Sequence, residues 1–211
     1  MDNNHITLTV FLVLWCIIHS VMINNKVIEF VERKIKSRIR FYRIFYNITA
    51  TISLIPIFIF AYKLPKIIYF QWDGYLLIPQ ISLILIGLIM IVAGSRNYSF
   101  LQFIGIRQII DGSVHKTLSI SGKLKTDGIL GLTRHPWYTA FLIFLWAREL
   151  NSTSLIINLI FSLYIVVGTY LEEQKLIIEF GEEYTKYQKN VSMLFPVKRI
   201  RSSLTSNFRE A

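Results

Sequence analysis

Apolar residues in this chain come in long runs rather than in the one-faced or alternating patterns of a water-soluble core. Runs at residues 6–23, 44–61, 75–93, 135–150 and 155–171 each predict a helix with the composition of a bilayer crossing, the fourth being the shortest. Pro56 predicts a kink in the second, which membrane helices tolerate. The first run lacks a basic segment before it, since Met1 to His5 carries none, so it is expected to be a retained helix rather than a cleaved signal. Between the runs lie polar segments of different character. Residues 24–43 are basic and place Val27, Phe30, Val31 and Ile35 at helical spacing, which fits either a short interfacial helix or a solvated loop. Residues 62–74 form a short connector, and Tyr69, Trp72 and Tyr75 suit a membrane interface. Residues 94–133 read as a long polar connection broken by Gly105, Gly112, Gly122, Gly128 and Gly131, with 112–125 either an ordered lid or a slack loop. A turn at 151–153 predicts a helical hairpin from the fourth and fifth runs. Residues 172–190 then predict one polar helix with Leu176, Phe180, Tyr184 and Tyr187 on a single face, followed by a loose basic tail.

Composition supports the same class. The chain has 211 residues, 53% of them hydrophobic, and a mean hydropathy of +0.47. The expected fold is all-α: an integral membrane protein with about five transmembrane helices and a cytoplasmic C-terminal helix. One domain is expected over 1–211: three spans in 1–93, a cytoplasmic loop at 94–133, a hairpin and C-terminal helix at 134–196, and the tail from 197. A net charge of +10 would suit nucleic acid, but the positive residues alternate with apolar spans, which points to anionic lipid instead. The segments after the first, third and fifth runs carry seven, six and seven Lys or Arg, against two and one in the other connectors. The positive-inside rule then puts the N-terminus outside and the C-terminus in the cytoplasm of a bacterial or archaeal cell membrane. The single cysteine, Cys16, excludes a disulfide within the chain and reads as packing.

This topology gathers polar residues at one level. His19 and Ser20, Tyr42 to Asn47, Arg96 and Asn97, Arg134 to Tyr138, and Glu172 with Glu173 all fall at the inner face, and together they predict a cavity open to the cytoplasm. Pro136 suits the first turn of a helix, so Arg134 and His135 are expected at a helix N-terminus, where N–H groups and the dipole favour an anion. Arg134 can grip a carboxylate in a fork. Glu172 and Glu173 stand near a helix C-terminus, where the dipole disfavours acids, so a ligand cation or ligand hydroxyls would explain them. The four histidines, His5, His19, His115 and His135, show no ligand spacing, and no metal is expected.

Arg134-His135-Pro136-Trp137-Tyr138, then Leu171-Glu172-Glu173, then Phe180-Gly181-x-x-Tyr184-x-x-Tyr187, resembles the membrane methyltransferases that include isoprenylcysteine carboxyl methyltransferases and phospholipid N-methyltransferases. The resemblance covers about the C-terminal 85 residues. Leu14-Trp15-Cys16-Ile17-Ile18-His19-Ser20, Tyr42 to Asn47, and Gly105-Ile106-Arg107-Gln108 look like the methanethiol S-methyltransferase and NnrU-like branch. Where that branch carries an acidic, histidine-bearing stretch, this chain reads Asn97-Tyr98-Ser99-Phe100-Leu101-Gln102. The resemblance implies S-adenosyl-L-methionine as methyl donor, bound at the cytoplasmic face. Arg134, His135 and Tyr138 would frame it, Glu172 and Glu173 would hold its polar groups, and Tyr184 and Tyr187 would close over it. A small thiol such as methanethiol is the implied acceptor. It reacts as the thiolate, so His19 or His135 is expected to take its proton. Two alternatives stay open. One is methyl transfer to a lipidic acceptor, a prenylcysteine carboxylate or a phospholipid amine. The other is a non-catalytic membrane protein for transport or assembly, although a transporter would be expected to show a repeated half and paired broken helices.

Overall fold

The computed structural model describes residues 3–111 and 124–201. Its helices are α1 (Asn3–Met22), α2 (Asn25–Ile35), α3 (Tyr42–Lys63), α4 (Leu77–Ser95), α5 (Phe100–Ile104), α6 (Ile106–Asp111), α7 (Pro136–Trp146), α8 (Ser152–Phe180) and α9 (Glu182–Asn190). Two short strands, β1 (Ile68–Phe70) and β2 (Leu150–Asn151), pair antiparallel. Among the described residues, four stretches are long and apolar enough to cross a membrane: Asn3–Met22, Asn25–Lys63, Gly74–Ser95 and Ser152–Phe180. Ile17, Ile18, Ile52, Ile59, Ile89, Val92 and Leu163 all point away from the protein. In water that much outward apolar surface would be a severe liability. Against lipid tails it is the ordinary state of a spanning helix. The expected all-α membrane class is what the chain forms.

The helices fall into two compact units. The first comprises the described parts of Met1–Phe70, Tyr98–Leu118 and Leu150–Phe161. Its core is small: Leu8 and Leu12 of α1, Ala61 of α3, Leu64, and Ile157 of α8. Trp15 joins α1 to α3 by donating from Nε1 to the Ala50 carbonyl and the Ser53 hydroxyl, both at 3.1 Å. The connection expected to lack structure contains α5 and α6. Gly105 joins them at φ +97°, a conformation glycine adopts without strain, and a Cβ there would sit 2.7 Å from the Ile44 amide. Asn47 donates to the carbonyls of Phe103 and Ile104 and so pins α5 to α3. Residues 112–123, which hold most of the lid-or-loop segment, lie outside the described residues.

The second unit comprises the described parts of Gln71–Asn97, Ser119–Glu149 and Ser162–Ala211. Here the fourth predicted span is an 11-residue helix, α7, about 16 Å long against a hydrocarbon core of about 30 Å. It packs closely on α4, and it also runs antiparallel to α8, as the expected hairpin requires: Trp146 donates to the Ser162 hydroxyl at 2.9 Å and Tyr138 to Glu172 at 2.7 Å. The indole of Trp137 donates to the Ile91 carbonyl at 3.1 Å at one end, and Gln80 donates to the Ala147 carbonyl at 2.8 Å at the other. α4 and α7 therefore run antiparallel, and two glycines of α4 allow the approach. A Cβ on Gly94 would stand 2.6 Å from the Trp137 ring, and one on Gly87 would overlap Phe144. The helix expected at 172–190 is interrupted. α8 runs to Phe180, Gly181 takes φ +57°, and α9 starts afresh at Glu182, so Leu176 and Phe180 do not continue the buried face of Tyr184 and Tyr187.

Candidate active site

The start of α7 is built against the C-terminal segment. Thr133 bridges Ser192 in parallel, Arg134 N–H donates to the Ser192 carbonyl at 3.0 Å, and His135 N–H to the Met193 carbonyl at 3.1 Å. Thr133 and Thr139, both buried, donate from their hydroxyls to the carbonyls of Met193 and Leu194. The backbone N–H groups of Arg134 and His135, which precede the helix, are thus taken up by the C-terminal segment. Pro136 stands at the first turn, as its missing N–H favours.

The Arg134 guanidinium does form a fork, and its carboxylate is internal. Nε donates to Glu173 Oε1 at 2.6 Å and Nη2 to Oε2 at 2.9 Å. Nη1 donates to the carbonyls of Gln188 and Val191. Glu173 accepts three more hydrogen bonds: from His135 Nε2 at 3.1 Å, the Tyr184 hydroxyl at 3.2 Å and Gln188 Nε2 at 2.9 Å. Five donors on one buried carboxylate satisfy it fully, which is what makes a buried ion pair tolerable. A carboxylate only accepts, so neutral His135 carries its proton on Nε2 and keeps its lone pair on Nδ1. Tyr187 is anchored apart from this knot, donating to the Leu130 carbonyl at 2.6 Å. Burial pushes both phenols above their ordinary range, and the Glu173 anion adds to the shift at each.

Glu172 has different surroundings. It is half-buried, and its Oε2 accepts from the Tyr138 hydroxyl at 2.7 Å. Tyr138 in turn stacks flat on His135, centroids 5.5 Å apart and planes 9° apart. Glu173 is consumed by the fold, whereas Glu172 keeps coordination capacity beyond one phenol.

His19 belongs to the first unit. Its ring lies between Trp15, at 4.8 Å, and Tyr46, at 5.2 Å, with the Tyr46 hydroxyl 3.4 Å from Nε2. Tyr42 donates to the Met22 carbonyl, so the Tyr42–Asn47 motif and the end of α1 do assemble. No group of metal-ligating side chains occurs among the described residues.

The family model for NnrU protein matches residues 7–202, nearly the whole chain. The chain belongs to the NnrU family. Among curated proteins, this NnrU chain is 34% identical over 119 residues to a methanethiol S-methyltransferase of Pseudomonas deceptionensis, covering 56% of this chain and 45% of that protein. It is 28% identical over 191 residues to methanethiol S-methyltransferase 1 of Bradyrhizobium diazoefficiens, covering 88% of this chain and 65% of the relative. A methanethiol S-methyltransferase of Crocosphaera subtropica is 27% identical over 129 residues, 59% of this chain and 50% of that protein. The NnrU chain therefore spans from under half to just under two thirds of the length of these relatives. No solved structure matches it.

Sequence reasoning missed several residues of the knot. Gln188 was the clearest omission, and its signal was available: it stands four residues after Tyr184, on the same helical face. Thr133 and Thr139 gave no signal, because their partners are backbone carbonyls sixty and fifty-five residues away.

Proposed function

We propose that this NnrU protein transfers a methyl group from S-adenosyl-L-methionine to a small thiol, yielding a thioether. The observation that carries the reading is the pairing of a saturated carboxylate, Glu173, with an adjacent half-buried one, Glu172, that has capacity to spare. The relatives' names support the reaction class. The residues suit such a donor: a carboxylate for a cation or ribose hydroxyls, and flat aromatic surface on His135 and Tyr138. When bound, the donor supplies an electrophilic methyl carbon on positively charged sulfur.

The chain's own residues then do four things. Glu172 holds a positive or hydroxyl-bearing group, and Tyr138 fixes the orientation of its carboxylate. The Arg134–Glu173 knot, with Tyr184 and Gln188, keeps α7, α8 and α9 in register so that this pair is preorganised. His135 Nδ1 takes the thiol proton, because the thiolate is the nucleophile.

The test is labelled-methyl transfer by the full chain, reconstituted in lipid, to methanethiol, larger thiols, a prenylcysteine and phospholipid. Transfer to small thiols is expected, falling about ten- to a hundredfold in Glu172→Gln, the scale of one lost charged hydrogen bond. Transfer only to lipidic acceptors would move the substrate. Failure to bind or use the donor at all would sink the reading.

A further inference from the structure

Residues 24–43 are not used by the site, and their surface is unusual. The 39-residue helical stretch Asn25–Lys63 is about twice what a crossing needs. It is broken at Lys36, whose φ of +47° is strained for a residue with a side chain. The 22 residues of α3 supply the crossing, which leaves α2 over. Asn24 caps α2 by accepting from the Lys26 amide, so it is a helix with its own start. It begins where α1 ends and finishes where α3 approaches, so it stands at the level of the bilayer surface.

No residue of α2 is buried by the protein. Val27, Val31 and Ile35 make a stripe at four-residue spacing, with Phe30 beside it 59% exposed. Seven Lys or Arg occur in 24–43 against Glu29 and Glu32 only. Lys26, Arg33, Lys34, Lys36, Arg38 and Arg40 are exposed, and among the described residues no ion pair engages any of them. Lys34 and Arg40 instead lie over the exposed rings of Phe30 and Phe41, each 4.9 Å from the centroid. Uncompensated cations beside exposed aromatic and aliphatic groups, at this depth, match a layer that is anionic above and apolar below.

We propose that α2 and residues 36–41 form a docking surface for the anionic phospholipid headgroups of the bilayer that the protein occupies. The apolar stripe and Phe30 enter the acyl boundary, and the cations meet phosphate. This surface is independent of the methyl-transfer reading.

Two measurements on the full chain test it. In native mass spectrometry from detergent, phosphatidylglycerol is expected to be retained over phosphatidylcholine. That preference should fall at least about tenfold in Arg33→Gln/Lys34→Gln/Arg38→Gln/Arg40→Gln. In a Cys16→Ala background, an environment-sensitive dye on Phe30→Cys should give blue-shifted emission in phosphatidylglycerol vesicles and be quenched by spin-labelled lipid. Equal retention of the two lipids, retention unchanged by the four substitutions, or water-like emission from position 30 would each overturn the proposal. The single-site label keeps the test decisive where the fourfold variant fails to fold.

Discussion

Glu172 and Glu173 are neighbours in sequence, but on a helix they point about 100° apart, and that angle separates their roles. Glu173 meets Arg134, His135, Tyr184 and Gln188, whereas Glu172 meets Tyr138. Glu173→Gln leaves a buried guanidinium without its counter-charge and is expected to cost about 3–5 kcal/mol, read as a large drop in the thermal midpoint. Glu172→Gln should leave that midpoint nearly unchanged and lower activity by about ten- to a hundredfold, the scale of one lost charged hydrogen bond. If the two variants melted alike, the division between frame and ligand contact would be wrong. Tyr184 and Tyr187 give a pH prediction. Their phenols ionise near pH 10.0 in the unfolded chain and above it when buried. The stability tied to their protonated form is therefore complete below about pH 10 and declines as pH rises past it. Denaturation followed by tyrosinate absorbance should show ionisation of these two residues together with unfolding. Early, non-cooperative titration of all tyrosines would contradict their burial.

At the scale of elements, the α4–α7 contact is set by what glycine lacks. Gly87 and Gly94 are two turns apart, so both bare backbones face α7, and Phe144 and Trp137 fill the space. Gly94→Ala forces Trp137 to move or α7 to back away. A cost of about 1–3 kcal/mol is expected, measured by chemical or thermal unfolding in detergent. Because Trp137 sits next to Pro136 and His135, the same variant should also lower methyl transfer. Gly131→Ala, whose added Cβ would come no nearer than 3.4 Å to the Thr126 carbonyl, is the milder control.

For the whole molecule, the short α7 decides the topology. α4 is long enough to cross, and α7 returns beside it from the level of Ile91 to that of Gln80. We propose that these eleven residues add a fifth, shorter crossing to the four stretches long enough to span a bilayer. We therefore expect reporter fusions at the N-terminus to score outside and those at the C-terminus inside. Both termini scoring on one face would mean that α7 does not cross.

Class, helix positions and the motif residues were legible in the sequence because they depend on local quantities. Apolar runs of about twenty residues identify spans by hydration alone, Pro136 marks a first turn, and Arg134, Glu172 and Glu173 stand out as charges next to apolar segments. Tertiary structure decided everything that depends on which groups meet. It paired Arg134 with Glu173, satisfied the Arg134 and His135 amides with Ser192 and Met193 carbonyls, packed α7 on α4 and broke 172–190 at Gly181. A linear pattern states the polarity of each position, but not its partner. In an apolar surrounding every buried donor and acceptor must find one, so it is the pairing, settled only by folding, that separates the residues of the frame from those left for chemistry.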